Sequence, residues 1–129
     1  MTATIKYGTS GWRAIIAEEF TFANVRLVTE AITRYVGRQN QTPSLLIGYD
    51  TRFASDSFAR QVAEVLSAAN IQVQLSGRPV PTPAISFSVR HRKLDGAINL
   101  TASHNSGEYN GIKFSGPDGA PALPEVTTV

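Results

Sequence analysis

A polar stretch near the end of the chain holds residue types that group transfer requires. Residues 100–114, LTASHNSGEYNGIKF, contain Ser103, His104, Asn105 and Lys113 directly after an apolar run. A serine hydroxyl is a weak nucleophile until a base or a preorganised electrophile activates it. The sequence has no G-x-S-x-G pattern, so a hydrolase nucleophile elbow is not supported. A serine that carries phosphate fits better, because turn amides, His104 and Lys113 could surround the phosphate oxygens.

The same residues also allow a purely structural interpretation. Most loop serines only bond to the local backbone, and Lys113 could be an ordinary solvated strand residue. Asn110 and Gly111 suit a tight turn that leads into a strand. The functional alternative is a lysine close to a phosphate, where Lys113 could steer a sugar hydroxyl and move a proton.

A second unusual stretch, YGTSGWR, occupies residues 7–13. Its two glycines permit close backbone approach to a ligand, and Thr9 and Ser10 offer hydroxyl donors. Arg13 offers a planar fork that suits phosphate. The stretch matches neither G-x-x-x-x-G-K-[ST] nor G-x-G-x-x-G. It could equally be a surface turn with Trp12 packed on the core and Arg13 in solvent.

Two further polar sites favour structural roles. In YDTRFASDS, residues 49–57, Asp50 and Arg52 lie at the end of a predicted strand, just before a predicted helix. We expect this pair to brace the neighbouring loops. His91 lies in the basic run RHRK, which is typical of a solvated helix end.

The apolar periodicity predicts the elements that must position these residues. Thr21 is expected to cap the first helix. Because helices alternate with strands, we predict a layered α/β fold with a largely parallel sheet covered on both faces. The loops after three strands would then open on one side, where such sheets place their sites. The predicted helices span 21–38, 55–69 and 85–93, the strands 44–50, 71–75, 96–100 and 111–115, and the three loops 49–52, 76–83 and 101–105.

Composition excludes several classes of protein. The 129 residues suffice for one domain with a core, and 42% hydrophobic with 17% charged residues indicates a globular chain. No apolar run approaches the roughly 20 residues of a membrane helix, and no signal peptide is recognisable. The absence of cysteine excludes disulfides and thiolate metal sites, and a cytoplasmic location fits. A net charge of +2 is too small to indicate nucleic acid.

Three motifs, GTSGWR, GYDTR and TASHN followed by YNGIK, together resemble the N-terminal domain of the α-D-phosphohexomutases, the family of phosphoglucomutases and phosphomannomutases. The resemblance covers essentially the whole chain, in order. It implies a three-layer α/β/α domain with a mixed, mostly parallel sheet over residues 1–115. Residues 116–129 would then be a linker towards an absent second domain.

The resemblance also implies a role for each candidate residue. Ser103 would be the serine that is phosphorylated in the working enzyme. It would donate its phosphate to the free hydroxyl of a hexose phosphate, through a hexose 1,6-bisphosphate that also serves as activator. Lys113 would be the general acid/base, with His104 and Arg13 beside the transferring phosphate. Phosphate or substrate would contact the side chains of Thr9, Ser10, Arg13, Asn105 and Lys113.

A Mg²⁺ ion is the cofactor that the resemblance implies. In the family it is held by the phosphoserine oxygen, here at Ser103, and by aspartates of a second domain. This sequence contains neither the DGDxDR metal loop nor the GEMS sugar loop of the family. We therefore expect the first of four domains, with hexose phosphate and the remaining domains as partners and little mutase activity alone. Ser106 stands where the family usually has proline.

Alternatives remain open at this stage. The hexose could be glucose, mannose or glucosamine phosphate, with GTSGWR slightly favouring the glucose and mannose branch. A phosphoserine-bearing binding or regulatory module on the same scaffold would use Ser103 to recruit a partner. A serine hydrolase is a weaker possibility, because no triad is recognisable.

Overall fold

A computed structural model of the chain describes residues 11–103 and 105–118, and these form five strands and three helices. The elements alternate in the order expected of a layered α/β protein. Along the chain they are β1 (Trp12–Ile15), α1 (Phe22–Gln39), β2 (Ser44–Tyr49), α2 (Ser55–Ala68), β3 (Gln72–Leu75), α3 (Thr82–His91), β4 (Gly96–Leu100) and β5 (Tyr109–Ser115).

The five strands form one mixed sheet in the order β1-β5-β4-β2-β3. β2 pairs in parallel with both β3 and β4, whereas β5 is antiparallel to β4 and to β1. Only β5 therefore runs against the other four strands. The loops that follow β2, β3 and β4 leave the same edge of the sheet, hereafter the carboxyl edge. The prediction that these three loops open together is confirmed.

Helices cover both faces of the sheet, which confirms the three-layer α/β/α architecture. α1 and α2 pack on the face that carries Ile47, Ile98 and Ile112. On the opposite face, α3 supplies Ile85 and Val89 to a smaller core. We call this second side the α3 face. Because strand side chains alternate between faces, each strand contributes to both layers.

The first two helices begin where the sequence predicts, and the third begins earlier. Thr21 caps α1, its hydroxyl accepting a hydrogen bond from the Asn24 N–H at 3.2 Å. α2 begins at Ser55 after Ala54, which adopts a left-handed conformation with φ of 62°. α3 begins at Thr82, three residues before the predicted segment, since Pro83 is compatible with a first helical turn.

The strands differ from the sequence prediction in two places. β1 is not predicted from the sequence, and β5 begins at Tyr109, so Asn110 and Gly111 lie within a strand and do not form a turn. Asn110 is fully buried, and its Nδ2 donates to the Ser55 hydroxyl at 2.9 Å. Long-range pairing on both sides of β5 overrides the local preference of Asn-Gly for turns.

Gly111 occupies a position where two neighbouring strands leave no room for a side chain. A Cβ built there would lie 2.6 Å from the Thr101 carbonyl oxygen and 2.7 Å from that of Trp12. Both atoms are backbone and cannot rotate away. The replacement Gly111→Ala is therefore expected to lower the free energy of unfolding by about 3 kcal/mol, measured by denaturant titration.

Gly107 provides the matched control for this prediction. It is exposed, and a Cβ built on it meets nothing within 4 Å. The change Gly107→Ala should leave the free energy of unfolding within about 0.5 kcal/mol of the parent value. Equal stability of the two alanine variants would contradict the close approach of β1, β4 and β5 at Gly111.

Candidate active site

Ser103 lies at the carboxyl edge in the segment that joins β4 to β5, residues 101–108, hereafter the serine loop. Its side chain is exposed, and its backbone is left-handed with φ of 54°. Such a conformation costs a non-glycine residue about 1 kcal/mol and persists only where the surroundings impose it. Here the Ser103 N–H donates to the Thr101 hydroxyl at 3.0 Å, and its carbonyl accepts from Arg52 at 2.9 Å. The hydroxyl is thus presented to solvent from a fixed backbone.

Arg52 organises the serine loop. Besides Ser103, its guanidinium donates to the carbonyl oxygens of Asn105 at 2.6 Å, Ser106 at 2.7 Å and Tyr109 at 3.1 Å. The Arg52 side chain is only 13% exposed. A guanidinium has five N–H donors in a planar fork, which suits it to capture several carbonyls of one curved segment.

Asp50 holds Arg52 in this position. Its Oδ2 accepts from the Arg52 Nε at 3.2 Å, and its Oδ1 accepts from the Arg52 backbone N–H at 3.0 Å. The Ser55 hydroxyl also donates to Oδ1 at 2.9 Å. Since Ser55 in turn accepts from Asn110, the network joins the loop after β2 to α2, β5 and the serine loop. The interpretation of Asp50 and Arg52 as a bracing pair is confirmed.

Arg13 reaches the serine loop from the opposite side. It lies on β1, paired in register with Gly111, and is half-buried. Its Nη1 donates to Asn105 Oδ1 at 2.9 Å. The adjacent Trp12 packs into the core and stacks on Phe20 at a centroid distance of 4.9 Å. Two of the candidate residues, Arg13 and Asn105, are therefore in contact, and Asn105 is two residues after Ser103 in the chain.

Lys113 lies further from the carboxyl edge than the other candidates. It is half-buried on β5, opposite Asn99 of β4. Its neighbours Ile112 and Phe114 belong to the main core, so its side chain, like that of Arg13, is on the α3 face. Two strand positions, about 7 Å, separate Lys113 from Gly111 at the edge. The lysine stem can extend along most of that distance.

Three of the candidates, Thr9, Ser10 and His104, lie outside the described residues. His91 is the exposed last residue of α3, and its ring stacks on that of Phe87 at 5.3 Å. It ends a helix, as the sequence indicates, near the start of β4 and so at the edge of the sheet opposite the serine loop.

The described residues contain few groups that could bind a metal ion. Within residues 11–103 and 105–118, no three His, Asp or Glu side chains gather closely enough to hold one. Both Asp50 oxygens already accept hydrogen bonds from Arg52 or Ser55. In the same part of the chain, no helix has the length and apolar character needed to cross a membrane.

Arg52 and Asn110 are the site residues that sequence reasoning did not include among its candidates. The DTR run after β2 carried a signal for Arg52, because a charged pair at a strand end commonly braces a loop. Nothing local distinguished Asn110 from a turn residue. Together, fold and site define a class of domain: an α/β/α layer structure that presents a fixed serine, flanked by arginines, at the edge of a mixed sheet.

Comparison with known proteins identifies the family. The family model described as "Phosphoglucomutase/phosphomannomutase, alpha/beta/alpha domain I" matches residues 4–129. A phosphoglucomutase of Staphylococcus epidermidis is 36% identical over 126 residues, which cover 93% of this chain and 22% of the relative. A phosphoglucomutase of Staphylococcus aureus is 37% identical over 122 residues, covering 90% and 22% respectively.

Solved structures support the same relationship. A Thermus thermophilus protein described as a phosphomannomutase superposes with a TM-score of 0.94 at 42% identity, covering 99% of this chain and 29% of that one. A phosphoglucomutase/phosphomannomutase family protein of Burkholderia thailandensis, at 24% identity and a TM-score of 0.83, shares the fold. The chain belongs to the phosphoglucomutase/phosphomannomutase family and corresponds to its α/β/α domain I. It spans about a fifth of the length of these curated relatives.

Proposed function

We propose that this chain is the catalytic-serine domain of a phosphohexomutase, an isomerase that interconverts the 1-phosphate and 6-phosphate of glucose, mannose or both. The observation that carries the proposal is the exposed hydroxyl of Ser103 on a backbone held by Arg52 and Thr101. A residue that stores a phosphoryl group between two substrates must be accessible and yet fixed in direction. The serine loop combines the two properties.

The proposed reaction moves the phosphate between two positions of one sugar by two successive phosphoryl transfers. Phosphoserine at position 103 passes its phosphoryl group to the free hydroxyl of a hexose phosphate, which loses a proton and becomes the 1,6-bisphosphate. The bisphosphate turns over, and its other phosphoryl group returns to the Ser103 oxygen. Ser103 is thereby phosphorylated again, and the isomeric hexose monophosphate leaves.

The residues around Ser103 suit this transfer. Phosphoryl transfer depends mainly on in-line positioning and on neutralising charge at the equatorial oxygens. Arg13 would supply positive charge from β1, its direction set by Asn105. Lys113 would donate or accept the proton of the reacting hydroxyl. We assign Thr9, Ser10 and His104 to phosphate contacts on the family resemblance alone.

Mg²⁺ is the cofactor that we propose for the complete enzyme. We also propose that the enzyme is cytoplasmic. When bound, the ion would neutralise charge on the phosphoryl group. Of this chain's side chains, phosphorylated Ser103 suits it best, since phosphate oxygens are hard ligands and the carboxylate of Asp50 is occupied by Arg52 and Ser55. The other ligands, and the loops that select the sugar, would come from the remaining domains.

The proposal is tested by intact mass and site mapping of the protein isolated rapidly from its own cells. We expect about 80 Da of additional mass on Ser103. The variant Ser103→Ala should lack this mass, whereas Ser106→Ala, which alters another exposed serine of the same loop, should retain it. Phosphate on another residue, or its persistence in Ser103→Ala, would overturn the assignment of Ser103 as the phosphate carrier.

A further inference from the structure

Asn99 of β4 has an unusual hydrogen-bonding state for a buried side chain. The residue is 5% exposed, and its Nδ2 donates to the Thr82 hydroxyl at 3.0 Å. Its Oδ1 is buried and has no hydrogen-bond partner among the described residues. Buried polar atoms without partners are rare in folded proteins, because each loses its hydration without compensation. This oxygen is therefore able to accept a hydrogen bond from a donor that comes within reach.

The position of the Asn99 carboxamide is imposed by close packing of α3. Gly48 of β2 lies beside Asn99 in register. A Cβ on Gly48 would collide with the Ile85 side chain, so the missing side chain is what lets α3 pack directly on the sheet. The first residue of α3, Thr82, is thereby brought to the amide nitrogen of Asn99. This hydrogen bond fixes the plane of the Asn99 carboxamide, and with it the position of Oδ1.

Lys113 is the cationic residue that the sheet places opposite Asn99. It lies directly opposite Asn99 in the antiparallel pairing of β4 with β5, and both side chains are on the α3 face. Opposed residues in such a pair have Cβ atoms about 5 Å apart. The Lys113 ammonium forms no hydrogen bond or ion pair with any of residues 11–103 or 105–118.

The neighbours of Lys113 on β1 offer no competing side-chain acceptor. On the β1 side, the adjacent position is Gly11, which has no side chain, and a Cβ built there would lie 3.0 Å from the Lys113 Cα. Arg13, the charged group of β1 on the same face, is a donor and is bonded to Asn105. Asn99 Oδ1 is one of two buried side-chain atoms without a partner among the described residues, and the unpartnered Lys113 ammonium belongs to the residue directly opposite it.

We propose that the Lys113 side chain, which forms no such bond in this structure, turns so that its ammonium donates a hydrogen bond to the Asn99 carboxamide oxygen, and that this bond directs Lys113 towards the phosphate on Ser103. Asn99 is then a positioning residue that acts through Lys113. The contact itself is independent of the proposed function, but its use in catalysis rests on that function. An ammonium has three donors, so one bond to Asn99 leaves two for phosphate oxygens.

The contact is tested by NMR of the 129-residue chain with labelled lysine and asparagine. Only three lysines are present, at positions 6, 93 and 113, so the ammonium signals are few. We expect a scalar coupling across the hydrogen bond between the Lys113 Nζ and the Asn99 Cγ. In Asn99→Leu the coupling should vanish and exchange of the Lys113 ammonium protons with water should rise about tenfold, while the exposed Lys93 is unchanged.

The conservative variant Asn99→Asp keeps an acceptor at this place and should restore slow exchange at Lys113, so the test does not depend on the leucine variant alone. Absence of the coupling in the parent chain, or exchange at Lys113 that is the same in all three proteins, would overturn the inference. Neither result would affect the phosphorylation of Ser103, which is measured separately by mass.

A second arm examines the positioning role. The chain is produced with phosphoserine incorporated at position 103 during translation, and the Lys113 Nζ shift is compared with that of the unmodified chain. We expect a shift in the parent background and a smaller one in Asn99→Leu. If the coupling to Asn99 is present but phosphoserine leaves Lys113 unchanged, the positioning role is wrong even though the proposed carrier role of Ser103 stands.

Discussion

The variant Arg52→Met is expected to lower the free energy of unfolding by about 3 kcal/mol and to release the serine loop. Arg52 donates to the carbonyl oxygens of Ser103, Asn105, Ser106 and Tyr109, and methionine replaces none of these bonds. It also leaves the Asp50 carboxylate without its cation. Breaking a charge pair by removing one partner costs more than the pair itself contributes. Denaturant unfolding and amide hydrogen exchange in the loop measure the two effects.

Two variants separate the specific role of Arg52 from a general effect of losing an arginine. Arg60→Met removes an exposed arginine from α2 and should change stability by less than about 0.5 kcal/mol. Arg52→Lys keeps the charge but lacks the planar fork, so the loop should still exchange faster than in the parent chain. If Arg52→Met and Arg60→Met were equally stable, with unchanged exchange at residues 103 and 105, the bracing role would be contradicted.

The elements that the sequence predicts well are those that carry their own periodic pattern. α1 and α2 repeat apolar residues over several turns, and β2 and β4 are short apolar runs bounded by polar loops. In each case the buried face is recognisable within the element. The α/β/α architecture follows, because amphipathic helices and fully buried strands leave few other ways to cover a sheet.

β1 is not recognisable in the sequence, because it is stabilised by pairing with a distant strand. Its four residues, WRAI, show only a brief alternation, and they pair with β5 about a hundred residues later. That pairing depends on the close approach of three backbones at Gly111, which no window of sequence reveals. The start of β5 was misplaced for the same reason.

The sequence indicates which residue types form the site, but not which hydrogen bonds join them. The sequence places Ser103 and Arg52 in loops that share an edge, and the parallel pairing of β2 with β4 brings those loops together. The sequence does not show that one guanidinium binds three carbonyls of the serine loop and that of Tyr109, because this depends on how the loop folds back over the end of β2. Likewise, the environment of the Asn99 oxygen depends on the close packing of α3 against Gly48. In the sequence, the segments that form this packing are visible only as apolar runs.

The 129-residue chain by itself is expected to turn over glucose 1-phosphate at least about 10⁴-fold more slowly than a complete mutase. The transfer brings together two phosphate groups. Arg52 is already bonded to Asp50 and to four backbone carbonyls, so of the described residues chiefly Arg13 and Lys113 are left to neutralise the phosphates. A single missing arginine costs phosphoryl-transfer enzymes about 10³ to 10⁵ in rate. In-line alignment of the sugar hydroxyl would also be lost, because we assign the sugar loops to the remaining domains.

The comparison uses the full-length phosphoglucomutase of Staphylococcus aureus, 37% identical over the shared region, at the same protein concentration with Mg²⁺ and glucose 1,6-bisphosphate. Ser103→Ala in the isolated chain distinguishes weak intrinsic turnover from a contaminant, because only the former should disappear with the hydroxyl. Turnover within tenfold of the complete enzyme, lost in Ser103→Ala, would contradict the prediction. It would mean that the serine loop, Arg13 and Lys113 supply nearly all of the charge and alignment that the reaction needs.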